Sequence, residues 1–238
     1  MNRYALTYVG VLAVASVARA DVTIDTSGPA NWDGANAFGT LGELGFTLGT
    51  FGQTVSVPVG ATRLTSFSFQ LNPNLTGTTR LQLYVFAWDS PNVRASGSAL
   101  YSSPLITSLS SGFQTVGASG LSLDLIAGSD VVLVASTEEA MDGVEDGADM
   151  GVAASGVPDA YGPGAAFVLG SGGGDLSHLT SSGWIQLNGT DHSDFAFTAN
   201  FTEGVVPVPE APNIAAAFPG VIAAGWTILR RRAKTPAI

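Results

Sequence analysis

Cysteine is absent from the 238 residues, lysine occurs once, at position 234, and only 12% of the chain is charged. Without cysteine there is no disulfide scaffold, no thiol nucleophile and no thiolate-ligated zinc. With so few bases there is no surface suited to nucleic acid, whose phosphates are bound by Lys and Arg that displace counterions. Enzyme signatures are missing too: the chain has no G-x-S-x-G elbow, no H-E-x-x-H pair and no P-loop. Its two histidines are His178 and His192. His192-Ser193-Asp194 has the residue types of a hydrolytic triad, but neighbours on a strand face opposite ways, so the three cannot assemble with one another. Carboxylates for glycoside hydrolysis are plentiful, yet nothing in their spacing singles out a pair. The glycine-rich run 170–174 lacks the lysine and the following helix of a phosphate loop.

What is present is 30 Gly, 12 Pro and 45% hydrophobic residues, a composition that favours a turn-rich β protein. No ten-residue stretch between the two ends has helical periodicity, and no repeat recurs at solenoid or propeller spacing. Nineteen acids against nine bases give a formal charge of −10. Arg3 and Arg19 flank the first apolar run, while Arg230, Arg231, Arg232 and Lys234 close the chain. Only Arg63, Arg80 and Arg94 lie between, against eighteen acids from position 21 to 203, a local −15. The chain is an acidic domain between two basic, apolar ends.

The first end reads as a secretory signal peptide over residues 1–20. Arg3 supplies the positive start, residues 4–17 the uncharged apolar run, and Ala18 and Ala20 the small residues that signal peptidase requires, so cleavage is expected before Asp21. A retained anchor is the alternative, with a run shorter than the ~20 residues of a bilayer span. At the other end, residues 211–229 carry no charge, and a helix of that length spans about 28 Å, close to the hydrocarbon core of a membrane. The basic end at 230–234 stays cytoplasmic by the positive-inside rule, leaving the acidic domain outside.

Val208-Pro209-Glu210, the apolar helix and the terminal Arg230-Arg231-Arg232 together make a tripartite tail over 204–238 that resembles a PEP-CTERM sorting domain. Pro209 and Glu210 match the first two letters of the motif; position 211 is Ala, and Pro212 follows one residue later. The resemblance implies that an exosortase, a membrane-embedded processing enzyme of Gram-negative bacteria that make exopolysaccharide, removes the tail after export. A plain single-pass anchor is the competing reading. The body is similar to a recurring domain of PEP-CTERM proteins in its packing and turn residues, from Thr54 to Leu71 and through Tyr84-Val85-Phe86-Ala87-Trp88-Asp89, which bring no catalytic motif.

Residues 21–203 form one domain whose pattern is β throughout. Phe67, Phe69 and Leu71 alternate with Ser66, Ser68 and Gln70; Leu121, Leu123 and Leu125 alternate with Ser122 and Asp124; Phe195, Phe197, Ala199 and Phe201 alternate with polar or small residues. Further strands are expected at 53–57, 113–116, 131–136, 166–169 and 184–187, separated by turn signals such as Asn72-Pro73-Asn74 and Ala127-Gly128-Ser129. Nine or ten short strands without intervening helices predict an all-β fold, an antiparallel β-sandwich of jelly-roll type.

The strand at 80–89 is apolar on both faces. Leu81, Leu83, Val85 and Ala87 point one way; Gln82, Tyr84, Phe86 and Trp88 the other. If the aliphatic face fills the core, Tyr84, Phe86 and Trp88 form an outward aromatic stripe suited to stacking sugar rings. If the aromatics fill the core, a loop covers the aliphatic face. Trp32 and Trp184 are further aromatic candidates. A dense acidic stretch, Glu138, Glu139, Asp142, Glu145, Asp146 and Asp149, supplies oxygen ligands of the kind Ca²⁺ takes, without EF-hand spacing; the alternative is a solvated loop. The expectation is a non-catalytic surface or matrix protein, structural or adhesive in an exopolysaccharide layer. Signal peptidase and exosortase are its processing partners; a lectin-like role with extracellular polysaccharide, with Ca²⁺ at the acidic stretch, is the alternative, and a glycan hydrolase a more distant one.

Overall fold

The computed structural model describes residues 21–29, 31, 32, 34–39, 48–73, 80–107, 109, 112–140, 147–152, 159–170, 172–187 and 193–204. Residues 1–20, read above as a signal peptide, residues 205–238, read as most of a sorting tail with an apolar helix, and His192 lie outside them. No helix among the described residues is long and apolar enough to cross a membrane. All β-pairing among them is antiparallel, and two layers of strands face each other. Strands are numbered along the chain. One layer runs in the order β1 (Val22–Asp25), β12 (Phe197–Thr202), β4 (Arg63–Pro73), β7 (Gln114–Asp124). The other runs β10 (Ala166–Gly170), β3 (Leu48–Ser56), β8 (Asp130–Ser136), β5 (Gln82–Asp89), β6 (Arg94–Ser102), with β11 (Ile185–Gln186) on the outer edge of β10. The pair β2 (Gly34–Gly39) and β9 (Gly147–Val152) links the layers, β9 pairing with the end of β4 and β2 meeting β3 at Leu48.

The period-two pattern sets which side chains meet between the layers. Phe67, Phe69 and Leu71 of β4 and Phe197, Ala199 and Phe201 of β12 pack against Phe51 and Val55 of β3, Leu83 and Val85 of β5, and Val131, Leu133 and Ala135 of β8. The pairing of β4 with both neighbours shifts between Leu64 and Ser66. Against β12, where those two oppose the consecutive Phe201 and Asn200, the bulge puts one extra residue on β4 and lets Leu64 and Phe67, three positions apart, both turn inward. Phe51 and Phe195 stack with ring centres 5.0 Å apart. The alternation expected for β4 and β12 is therefore the alternation found.

Two expectations need correction. Segments 113–116 and 121–125 do not form two strands: β7 runs through both, because its pairing with β4 continues past the bulge. The strands β1, β2, β6 and β9 were not expected. β1 is only four residues, VTID, too short to show a period, while β2, β6 and β9 (GANAFG, RASGSALYS and GADMGV) are rich in Gly, Ala and Ser, which have little preference for strands; their neighbours' hydrogen bonds hold them extended.

β8 is buried along its whole apolar run, Val131 to Ser136. A continuous hydrophobic run of that kind belongs to a strand covered on both faces. The outer face of β3, β5, β8 and β10 carries a second apolar cluster, in which Tyr84, Phe86, Val132, Val134 and Phe167 lie beneath Leu179 and Trp184. The cover is the segment 172–187, which contains one helical turn, α1 (His178–Ser181).

Candidate functional site

The aliphatic face of β5 enters the main core, so Tyr84, Phe86 and Trp88 do point outward. They do not form an open stripe. Tyr84 is 2% and Phe86 6% exposed, sealed under the 172–187 cover, and neither offers a surface to a ligand. Neither arrangement weighed from the sequence is the one found: both faces of the strand are packed, one by the opposite layer and one by a loop. The Tyr84 hydroxyl donates to Gln82 Oε1 (2.9 Å), and burial, reinforced by the charge of Glu139, raises its pKa.

The cover is held by specific contacts. Gly52 of β3 has no side chain, and Trp184 lies in the space this leaves; a Cβ there would come 2.5 Å from the indole. Trp184 Nε1 donates to the Leu179 carbonyl (2.9 Å) and its backbone N–H to that of Val93 (2.8 Å). At the other end, the fully buried carboxylate of Glu138 accepts the backbone N–H groups of Gly172 (2.7 Å) and Gly174 (3.0 Å). The glycine-rich run is thus an anion nest after all, and its anion is the chain's own. Positive φ at Gly173 (71°) and Gly174 (92°) is the conformation glycine permits there. Asp175 closes the next turn by accepting from Ser177 N and Oγ, and the Ser177 hydroxyl holds its pKa low.

Glu138 was weighed as a calcium ligand or as part of a solvated loop; it is buried, and its two oxygens are engaged by backbone amides. Glu139 is exposed beside it on a short 3-10 turn, and Asp149 falls on β9. Asp142, Glu145 and Asp146 lie outside the described residues. No cluster of three acidic or histidine ligands occurs among the described residues. His178 Nδ1 is 2.8 Å from Ser182 Oγ. Trp32 has a structural place, its Nε1 donating to the Ser27 carbonyl (2.9 Å) and its ring 4.8 Å from that of Phe113.

Where the cover ends, a recess of about 290 Å³ opens on the outer face of the second layer. Trp88 forms one wall, half-buried, its ring 4.7 Å from Phe167 and edge-on to Trp184 at 5.9 Å. Asp130, Ser90 and Gln186 contribute polar groups, and Gly162 to Ala165 form the opposite wall. The register that pairs Ala87 with Val131 and Ser56 with Asp130 sets Ser56, Asp130 and Trp88 in one row across three strands. Asp130 accepts from Ser56 Oγ (2.6 Å) and Ser90 Oγ (3.2 Å). The rim follows from the sequence Asp89-Ser90-Pro91-Asn92: Asp89 accepts from Asn92 N and Nδ2 and starts a single 3-10 turn, with proline in its first turn. That turn ends at Val93, whose φ of 48° is rare for a β-branched residue and is the kind of local strain that gathers at binding sites. The sequence pointed to Trp88 through its strand pattern. Asp130 and Gln186 were missed, since only strand pairing brings them to it, and Ser90, two residues on, because the 3-10 turn that places it has no periodic signal.

Behind the Gly162 wall sits a buried carboxyl. Asp194, 1% exposed, accepts from Gln53 Nε2 (2.8 Å) and the Tyr161 N–H (2.7 Å), and Asp159 shares that N–H at 3.2 Å. Burial, with the adjoining Asp159 carboxyl adding to it, pushes Asp194 up to about 7. The two acids share a donor, whereas glycosidase pairs stand ~5 Å or more apart, and a substrate cannot reach Asp194.

The chain matches no known protein family and no curated protein. Among solved structures it is similar to the cysteine protease and lectin-like domains of Cwp84, a surface-layer associated protein of Clostridium difficile. Identity is 14% and the TM-score 0.42, over 66% of this chain and 32% of that one. A second structure, of the clostridial Cwp84 cysteine protease after propeptide cleavage, is 13% identical with a TM-score of 0.44, over 78% and 40% of the two chains. This chain spans two fifths or less of the length of those chains.

Proposed function

We propose that this chain is an exported protein of the cell surface or extracellular matrix whose β-sandwich binds carbohydrate at the Trp88 recess, without catalysis, as an adhesive contact with polysaccharide. The observation that carries the reading is the recess itself. A half-buried indole lines the recess together with a carboxylate, a hydroxyl and an amide, the combination of apolar platform and few polar groups that small-ligand sites use. The sheet fixes these groups before any ligand arrives, which lowers the ordering cost of binding. In the same reading, residues 1–20 direct export and the tail from position 204 is handed to an exosortase at Pro209-Glu210.

A glycan array probed with the purified exported protein tests the proposal. Binding to at least one polysaccharide class, lost in Trp88→Ala, is the expected result. A folded wild-type protein that binds no glycan leaves the purely structural role.

A further inference from the structure

We infer that the Trp88 recess selects glycans by charge, preferring sugars with a free, protonated amine over neutral ones and excluding uronates. The inference rests on the carbohydrate reading of the same recess and names its ligand class.

Asp130 is the charged residue in the lining, and no Lys, Arg or His accompanies it there. Its carboxylate accepts two hydroxyl donors, from Ser56 and Ser90. A carboxylate offers about four acceptor positions, so it retains capacity for a ligand donor. No ion pair neutralises it among the described residues. Arg94, which the strand register sets opposite Asp89 at the rim, is turned to Asp89 at 3.5 Å, and Arg63 is taken by Asp124 at 2.8 Å on the other layer. Trp88 lines the same recess, and an indole attracts a cation more strongly than the other aromatic rings do. An anionic carboxylate and an electron-rich ring therefore converge on one recess, and the positive charge that both favour has to come from the ligand. A uronate would bring a second carboxylate to Asp130 with no cation between them, a like-charge contact that opposes binding.

The experiment is calorimetric titration of the full exported protein with three oligosaccharides of equal length: a glucosamine oligomer, its N-acetylated counterpart and an oligouronate. The amine oligomer is expected to bind about tenfold more tightly than the N-acetylated one, and the uronate not measurably. Asp130→Asn should shrink the preference by about two- to fivefold, whereas Asp21→Asn, which removes the same charge from the other layer, should leave it. A preference unchanged by Asp130→Asn overturns the inference, because attraction to the acidic domain as a whole then explains it. Equal binding of uronate and amine overturns it as well, while leaving carbohydrate binding standing. If none of the three binds, the inference fails, and the glycan array alone decides the reading beneath it.

Discussion

Trp184 lies against Gly52, on a strand 132 residues earlier in the chain, in a space that any side chain at position 52 would occupy. That contact seats the cover over Tyr84 and Phe86 and leaves Trp88 as the part of the aromatic row that reaches solvent. Gly52→Ala would place a methyl 2.5 Å from the indole and 2.7 Å from Val132. It should cost about 1–3 kcal/mol, the usual penalty of overpacking, with a lower Tm and a red-shifted tryptophan emission. Gly183→Ala, which meets open space, is the control and should leave both unchanged. A Gly52→Ala protein as stable as wild type would mean that Trp184 does not rest there.

Glu138 and the glycine run make a second clamp on the same cover. Glu138→Gln keeps the size but turns an amide NH₂ toward one of the two backbone donors. A loss of about 1–3 kcal/mol in urea unfolding is expected, together with faster hydrogen exchange at Gly172 and Gly174. Unchanged exchange at those two amides would show that the carboxylate does not hold the loop.

The pH dependence of stability should carry the sign of Asp194. Its folded pKa, about 7, lies above the unfolded value of about 3.9. Its contribution is therefore fully present below about pH 4 and is lost as pH rises to 7, where the folded state has to release a proton the unfolded chain has already lost. Asp25, Asp89, Asp124 and Asp175 run the other way: hydrogen bonds from Ser27, Asn92, Arg63 and Ser177 respectively lower their pKa, and their contribution is lost as pH falls below 4. Urea midpoints measured from pH 4 to 8 should fall in the wild type and stay level in Asp194→Asn. A decline of equal size in the variant would assign it to another group.

Much of this fold was legible because apolar side chains recur at period two wherever one face of a strand is buried. Phe67, Phe69 and Leu71, or Phe197, Ala199 and Phe201, announce both the strand and its inward face. The same logic gave the direction of Leu83 and Trp88 in β5 as one of two possibilities. It could not give the cover, because Leu176, Leu179 and Trp184 are scattered through a polar segment without periodicity, and the place that receives Trp184 is marked by a missing side chain. The glycine-rich run and Glu138 were each visible in the sequence. Their pairing was not, since 34 residues separate the acid from the first amide it binds. The recess illustrates the same limit: Trp88 is readable, while Asp130 and Gln186 reach it only through strand pairing.

Processing makes a prediction of its own. The mass of the exported protein should correspond to a chain that begins at Asp21 and lacks Arg230, Arg231 and Arg232 in a host with an active exosortase. Without the exosortase the tail should remain. Retention of the tail in both hosts would favour the plain anchor.

The central claim is that Trp88 binds carbohydrate, and affinity electrophoresis through gels containing the polysaccharide identified on the array tests it most directly. Wild-type protein should be retarded, and Trp88→Ala should migrate as in a gel without polysaccharide while retaining cooperative unfolding. Gln186→Ala, with the indole kept, should reduce the retardation only in part. Retardation of Trp88→Ala equal to that of the wild type would contradict the account.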